Sequence, residues 1–209
     1  MISEKYFKLN YSTVIKEIGH WKQMDVPNKY WEITNNFETI NYHSFQEKAP
    51  NLKNFELNKK AKLTDFLSTI QLDISKGMFV SSKTKEIIEK HNAFGVKFYN
   101  TSILMNKNED INNYFFMHVI DNYGELLNIN KSKFIDFLED DKEVKLDLNE
   151  PISGSIAPKR LTLNNPYDLF RSPGGVEIII SESLKNSFTK ANITGSFIEE
   201  LTDYKVYID

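Results

Sequence analysis

The pattern of apolar and polar positions is clearest in residues 174–200. Two glycines precede a short, β-branched apolar run at 176–180, which is too short for a buried helix and therefore predicts a buried strand. Behind it, three apolar side chains recur at helical spacing: Leu184, Phe188 and Ala191. A second apolar run follows at 193–198. The stretch therefore predicts a strand–helix–strand unit.

The residues at the junctions of this unit suit their positions. The hydroxyl of Ser181 can accept hydrogen bonds from the free N–H groups of the first helical turn. Asn192 tolerates the left-handed conformation that often ends a helix, and Gly195 permits the turn into the next strand.

The same pattern occurs 100 positions earlier in the chain. Without a gap, the residues that match are Ser81 and Ser181, Lys85 and Lys185, Lys90 and Lys190, Asn92 and Asn192, and Gly95 and Gly195. Matched caps and turn residues indicate a repeated supersecondary unit, and chance similarity between two short amphipathic segments is the alternative. We expect both units inside one fold, and a pseudo-twofold axis is one way to relate them.

Other segments complete the expected fold. Residues 114–120 form a continuous apolar run, which predicts a central strand buried on both faces. Helical stripes are predicted at 63–70 and at 132–138, where Ser132 would be the cap and Phe134, Phe137 and Leu138 the apolar side. Further strands are predicted at 6–9, 144–148 and 204–208.

These elements predict an α+β (mixed α/β) fold. Its core would be a central, largely antiparallel sheet that contains 114–120 and 176–180, with helices packed on it. Because no linker rich in Gly, Ser or Pro interrupts the chain, we expect a single domain over 1–209. The aromatic-rich segment 28–58 has no clean period; core packing is the favoured interpretation and a recognition surface the alternative.

Composition excludes several classes of function. The net charge of −3 argues against binding to nucleic-acid phosphates, and no apolar stretch approaches the roughly 20 residues of a membrane span. The absence of cysteine excludes disulfides, thiolate nucleophiles and cysteine-based zinc sites. Together with an N-terminus that lacks the apolar core of a signal peptide, this suits a cytoplasmic protein.

No catalytic, cofactor-binding or metal-binding pattern stands out. The histidines are scattered without metal-ligand spacing, and there is no nucleophile elbow and no phosphate-binding glycine loop. His118 lies in an apolar strand and His91 on the inner stripe of a helix, so packing is the favoured role for both. We expect no cofactor and no enzymatic activity.

One acidic run is a candidate for binding a partner. Glu139, Asp140, Asp141 and Glu143 precede the alternating segment at 144–148. A solvated helix end is the simpler interpretation. The alternative is an acidic patch that faces a basic protein partner, which would raise the association rate and set specificity.

Several segments resemble a known family. The pattern from Phe170-Arg171 through the glycine turn, Ile179-Ile180-Ser181-Glu182 and Asn192-Ile193-Thr194-Gly195-Ser196-Phe197 resembles the C-terminal signature of the eleventh numbered immunity family of bacterial polymorphic toxin systems. The upstream 80–83 and 95–99 segments resemble its first motif, and 114–119 with 130–134 its central strand and turn. The likeness covers roughly 65–200, so 63–209 is the family-like core and 1–62 matches less clearly. Ser82 departs from the pattern, which has an acidic residue there.

The resemblance implies a cytoplasmic protein that binds and neutralises a toxin without catalysis. It carries over no catalytic residues and implies no cofactor, nucleic acid or membrane as partner. The expected partner is a cognate toxin domain; a nuclease would present a basic cleft to Glu139, Asp140, Asp141 and Glu143. The remaining motif residues are assigned to maintenance of the fold: Arg171, Ser81, Ser181, Gly95 and Gly195.

Two other hypotheses stay open at this point. A small hydrolase would use an Asp or Glu with His118 or His91, and a deep pocket that combines such residues would favour it. A scaffold or regulatory subunit without a toxin partner is the other, and a stable homo-oligomer would favour that.

Overall fold

The structure is a computed structural model that describes residues 2–25, 40, 43–47, 50, 52–68, 77–105, 109–147 and 152–209. Within them, 43% of residues lie in strands and 14% in helices. The prediction of an α+β fold with helices packed on one central sheet is therefore wrong, because the protein is mostly β and has several sheets.

The described residues form three sheets. The strands are β1 (Ile2–Ser3), β2 (Tyr6–Tyr11), β3 (Met24–Asp25), β4 (Leu52–Leu57), β5 (Phe66–Leu67), β6 (Gly77–Ser81), β7 (Val96–Met105), β8 (Glu109–Val119), β9 (Lys133–Asp136), β10 (Lys142–Val144), β11 (Ile156–Leu163), β12 (Leu169–Arg171), β13 (Ile178–Ser181), β14 (Ser196–Glu200) and β15 (Lys205–Ile208). The sheet orders are β3-β4-β7-β8-β6-β5, β12-β13-β2-β14 and β1-β15-β11-β9-β10.

Helices are short and few in the described part of the chain. They are α1 (Ile15–Ile18), α2 (Ser82–Ile88), α3 (Tyr123–Leu126) and α4 (Glu182–Lys190). Only α2 and α4 exceed one turn, and each follows directly on a buried strand whose last residue, Ser81 or Ser181, is its N-cap.

Three apolar cores lie against the sheets. The first lies between the six-stranded and four-stranded sheets and includes Ile88 and Phe188 from the two longer helices. The second covers the other face of the six-stranded sheet, and the third lies between the four-stranded and five-stranded sheets. Ile178 and Ile180 enter the first core while Ile179 enters the third, so β13 is buried on both faces.

The two strands expected in one central sheet lie in different sheets. Of the 114–120 run, residues 114–119 belong to β8, between β7 and β6 in the six-stranded sheet, and Ile120 follows the strand. The 176–180 run yields β13 in the four-stranded sheet, and Val176 lies outside the strand and is exposed. An apolar strand shows from sequence that both its faces are covered, but not which strands are its neighbours.

Two predicted helices are strands. At 132–138 the chain forms β9, where Phe134 is buried and pairing to β10 and β11 satisfies the backbone. At 63–70 it forms β5, with Phe66 in the first core and Leu67 in the second, so the two side chains alternate as in any strand. Tertiary pairing overrides the helical spacing in both places. Residues 69 and 70 lie outside the described residues.

Other expectations have mixed outcomes. Strands are present at the positions predicted at the N-terminus and C-terminus, as β2 and β15. The strand predicted at 144–148 is limited to β10, which ends at Val144. Most of the aromatic-rich segment 28–58 lies outside the described residues, including Tyr30, Trp31 and Tyr42. Phe55, in its described part, is fully buried in the second core.

Candidate partner-binding surface

The acidic run lies in a hairpin and not at a helix end. β9 and β10 pair antiparallel with Lys142 opposite Asp136, and the backbone N–H of Lys142 donates to the carbonyl of Glu139 at 3.1 Å. Asp140 and Asp141 both have positive φ, 51° and 57°. This geometry is that of a type I′ turn, in which aspartate is one of the tolerated residues. The acidic residues therefore build the turn as well as charge it.

The four carboxylates of the run are all exposed but are not equivalent. Glu139 pairs with Lys142 at 2.9 Å, and Glu143 pairs with Lys133 at 3.0 Å. The hydrogen bond from Lys133 lowers the pKa of Glu143 below its usual value. Asp140 and Asp141 have no ion pair within the part of the chain that the structure describes. Uncompensated charge is therefore concentrated at the turn.

Two large apolar side chains stand beside this turn. Phe137 is 53% exposed and Leu138 is 77% exposed. The N–H of Leu138 donates to the side chain of Asp136 at 3.0 Å, and that of Phe137 donates to the carbonyl of Ser155 at 3.1 Å, so the backbone beneath them is fixed. We call residues 137–141 the hairpin tip. The exposure of Phe137 and Leu138 is not expected from the sequence, because their spacing predicts the buried side of a helix.

A groove of about 500 Å³ runs along the same hairpin. Its charged walls come from Lys133, Glu143, Lys145 and Arg160, and its apolar walls include Phe134 and Val144. Arg160 is held in place by its guanidinium, which donates to the carbonyl of Lys131 at 2.6 and 3.1 Å. The groove therefore carries charge of both signs, whereas the hairpin tip is acidic and apolar.

The residues assigned to maintenance of the fold lie in repeated structural roles. The hydroxyls of Ser81 and Ser181 accept from the backbone N–H of Thr84 and Leu184, each at 3.2 Å. Gly95 and Gly195 have φ of 64° and 78°, where a side chain is strained. None of these residues lies in the hairpin tip.

Arg171 is an internal residue, 1% exposed. Its Nε donates to the carbonyl of Val119 at 2.7 Å, and its Nη1 donates to that of Val176 at 3.1 Å. These bonds tie β12 to the end of β8 and to the glycine turn. Nearby, burial raises the pKa of the Asp121 carboxyl above its usual value, although the carboxylate accepts from the N–H of Gly174 at 3.2 Å.

The two histidines of the hydrolase hypothesis differ in accessibility, since His91 is half-buried and His118 is not exposed at all. His118 is fully buried in β8. His91 lies between Asp168 and Ser187, with 3.2 Å from Nδ1 to the carboxylate and 2.9 Å from Nε2 to the hydroxyl. This is the order of a catalytic triad, but Ser187 lies within α4, where backbone N–H groups bond along the helix and cannot form an oxyanion hole beside it.

The arrangement at His91 also connects the two units. It joins the end of the first unit to the helix of the second. Among the described residues, no group of three or more His, Cys, Asp or Glu side chains is placed to hold a metal ion. The helices described here include none that is long and apolar enough to cross a membrane.

Comparison with known proteins identifies a family. The model of the immunity protein family Imm11 matches residues 6–203. The family resemblance drawn from the sequence is thereby confirmed. A comparison with curated proteins gives no match.

Proposed function

The chain belongs to the Imm11 immunity protein family, and on that premise we propose that it binds and neutralises a cognate antibacterial toxin by a non-catalytic protein–protein interaction. Family membership is the observation that carries this proposal. Inhibition of this kind requires a rigid scaffold and a complementary surface, and it requires no cofactor. The cytoplasm is the compartment in which we place this activity.

We assign the hairpin tip to the toxin interface. Leu138 and Phe137 offer apolar area that is already exposed, and well-packed apolar or aromatic anchors provide most of the energy of protein interfaces. Asp140 and Asp141 add negative charge that no neighbouring lysine offsets in the described residues. A toxin pocket with an apolar floor and basic rim would complement both features.

This chemistry favours a toxin that acts on nucleic acid. A nuclease cleft is basic because it must hold phosphates. Glu139 and Glu143 belong to the proposed surface with a smaller weight, because Lys142 and Lys133 already pair with them. Charge complementarity of this kind mainly raises the association rate and makes binding depend on salt.

Affinity purification tests the proposal. The tagged protein is purified from its native cells, and mass spectrometry identifies the proteins that come with it. The captured toxin domain is then expressed alone and together with this chain. We expect the domain alone to stop growth and co-expression to restore it. Growth arrest that co-expression does not relieve, or the absence of any toxin from cells that express one, would contradict the proposal.

A charge-removal variant tests the surface. Asp140→Asn with Asp141→Asn keeps residues that tolerate positive φ and removes two charges. We expect about tenfold weaker toxin binding at low salt and a smaller salt dependence. The matched control, Glu86→Gln with Glu109→Gln, removes two exposed charges from α2 and β8. Equal binding by the variant, the control and the parent would remove the hairpin tip from the interface.

A further inference from the structure

The repeat extends far beyond the two strand–helix–strand units. We propose that the protein consists of two copies of one half, residues 6–105 and 114–208, that complete each other by exchanging a strand. The interaction surface concerned is the open position beside β6 in one half and beside β13 in the other. The partner that fits each position is the first strand of the opposite copy.

Among the described residues, the order of elements is the same in both halves. The first half runs β2, α1, β3, β4, β5, β6, α2, β7. The second runs β8, α3, β9, β11, β12, β13, α4, β14, with β10 between β9 and β11 and β15 following at the end. Even the small helices agree, since α1 and α3 have equal length. Ile15 follows Tyr6 at the same separation as Tyr123 follows Tyr114.

Strand register supports the equivalence residue by residue. In the six-stranded sheet, Ser81 pairs with Tyr114 and Val80 with Phe115. In the four-stranded sheet, the corresponding pairs are Ser181 with Tyr6 and Ile180 with Phe7. The outer ladders agree as well. Phe98 pairs with Met117 as Ile198 pairs with Leu9. Likewise, Phe66 pairs with Val80 as Leu169 pairs with Ile180. Four strands thus coincide in order, direction and register.

The exchange concerns the first strand of each half. β8 opens the second half, yet it pairs with β6 and β7 of the first half. β2 opens the first half, yet it pairs with β13 and β14 of the second. Each half therefore lacks a strand of its own sheet and receives it from the other half.

Two aspartates connect the halves reciprocally. Asp65 accepts from Ser81 of its own half at 2.7 Å and from the backbone and hydroxyl of Thr194 in the other half, both at 3.0 Å. Asp168 accepts from Ser181 of its own half at 2.5 Å and from the backbone of Asn92 in the other half at 3.1 Å.

Backbone hydrogen bonds join the halves at matching places, with donor and acceptor exchanged between them. The N–H of Phe66 donates to the carbonyl of Thr194 at 3.0 Å, and that of Phe94 donates to the carbonyl of Leu169 at 2.7 Å. In a twofold interface between two identical chains each pair of segments meets twice. Here residues 65–66 meet residue 194, and the equivalent residues 168–169 meet 92–94. Here the two chains are joined into one, and the first apolar core lies at their interface.

Chance likeness between two antiparallel sheets accounts for the shared direction of strands. It does not account for a matching register on three ladders together with the paired contacts of Asp65 and Asp168. Duplication with strand exchange accounts for all of them. This inference is independent of the proposed function.

An engineered disulfide in the full chain tests the exchange, because the chain has no cysteine of its own. Asn10→Cys with Phe197→Cys links β2 to β14, where the two residues are direct partners. A specific protease site replaces residues 106–108, between β7 and β8. After oxidation and cleavage, the protein is run on a denaturing gel without reductant.

We expect the two fragments to run as one linked species. The matched control, Ile135→Cys with Glu143→Cys, links β9 to β10 within the second half, so its fragments should separate. Separation of the fragments of the Asn10→Cys and Phe197→Cys variant would overturn the exchange. If the inserted site prevents folding, peptide mapping of the disulfide in the uncut chain decides the same question, and failure to find the 10–197 link would overturn it.

Discussion

The two halves of the molecule share their inner strands and differ at their last strand. In the first half, β7 runs without a break from Val96 to Met105 and pairs with β8 and then with β4. In the second half, the chain leaves the sheet after Glu200 and returns at Lys205 as β15, which pairs with β11 in another sheet. One continuous strand thus yields one large sheet, and one interrupted strand yields two smaller sheets.

The side chains at the interruption explain the difference. The position that matches Asp203 in the first half is Ile103, a strong β-former that is fully buried in the second core. The second half has Asp203, a poor strand residue, which pairs with Lys8. Tyr204 then turns inward, and its buried hydroxyl donates to the hydroxyl of Ser172 at 2.8 Å. Asp203 and Tyr204 therefore account for the interruption between β14 and β15 in the second half.

The comparison separates scaffold from binding surface. Capped helices, glycine turns and exchanged strands occur in both halves, and their residues are buried or bonded within the fold. The hairpin tip follows β9 in the second half, and its apolar side chains are exposed. The corresponding connection in the first half lies mostly outside the described residues. Under the proposed function, we attribute stability to the repeated part and toxin binding to the hairpin tip.

The largest expected difference between the halves concerns their turn glycines. A Cβ at Gly195 would lie 2.3 Å from the carbonyl oxygen of Phe66, which is backbone and cannot yield. A Cβ at Gly95 would lie 2.8 Å from the side chain of Ile120, which can move. We expect Gly195→Ala to lower the free energy of unfolding by about 3 kcal/mol and Gly95→Ala by about half as much. Urea denaturation measures both, and equal losses would contradict the described difference in contacts.

The two aspartates should have effects of similar size, although Asp168 also faces Nδ1 of His91 at 3.2 Å. Asp65→Asn and Asp168→Asn each replace a carboxylate that joins the halves, and each should cost about 1–3 kcal/mol. Because each contact involves both halves, we expect a single unfolding transition in either variant. Fluorescence and circular dichroism should report the same transition. Two separate transitions in one variant would show that the halves fold independently.

The helix caps should show a smaller, matched effect. Ser81→Ala and Ser181→Ala each remove one side-chain acceptor at the start of a helix, at the same donor distance of 3.2 Å. We expect each variant to lose about 1 kcal/mol of stability in thermal or urea unfolding. Clearly unequal losses of stability in the two variants would contradict the equivalence of α2 and α4.

The smallest expected effect concerns Asp121, which only the second half contains at this position. Burial raises the pKa of its carboxyl in the folded protein above the ordinary value of 3.8. The folded state therefore holds its proton more tightly than the unfolded state. The corresponding stability is present below pH 3.8 and is lost as the pH rises through the folded pKa. Asp121→Asn should reduce the dependence of the free energy of unfolding on pH in this range, measured by urea denaturation at a series of pH values. An unchanged pH dependence would contradict the role of burial.

Local features could be predicted from the sequence, and long-range ones could not. Ser81, Ser181, Gly95 and Gly195 are recognisable because caps and turns depend on a few neighbouring residues. The pairing of β2 with β13 depends on residues that are far apart in the chain, so no local pattern reveals the exchange.

The hairpin tip shows a different limit. Phe134, Phe137 and Leu138 fall by coincidence at helical spacing, while β9 is held by its neighbours β10 and β11. The adjacent aspartates at 140–141 are a signal for a tight turn, because aspartate tolerates positive φ. Read only as part of an acidic run, they indicate a helix end instead.

The most direct test of this separation uses a hairpin variant and a scaffold variant side by side. Leu138→Ser with Asp140→Asn and Asp141→Asn alters only the hairpin tip, and Ser181→Ala alters only the scaffold. Titration calorimetry with the captured toxin domain measures affinity, and urea denaturation measures stability. The hairpin variant should bind the toxin domain at least tenfold more weakly with unchanged stability. The scaffold variant should be less stable and should bind with unchanged affinity. Full toxin affinity in the hairpin variant would contradict the account.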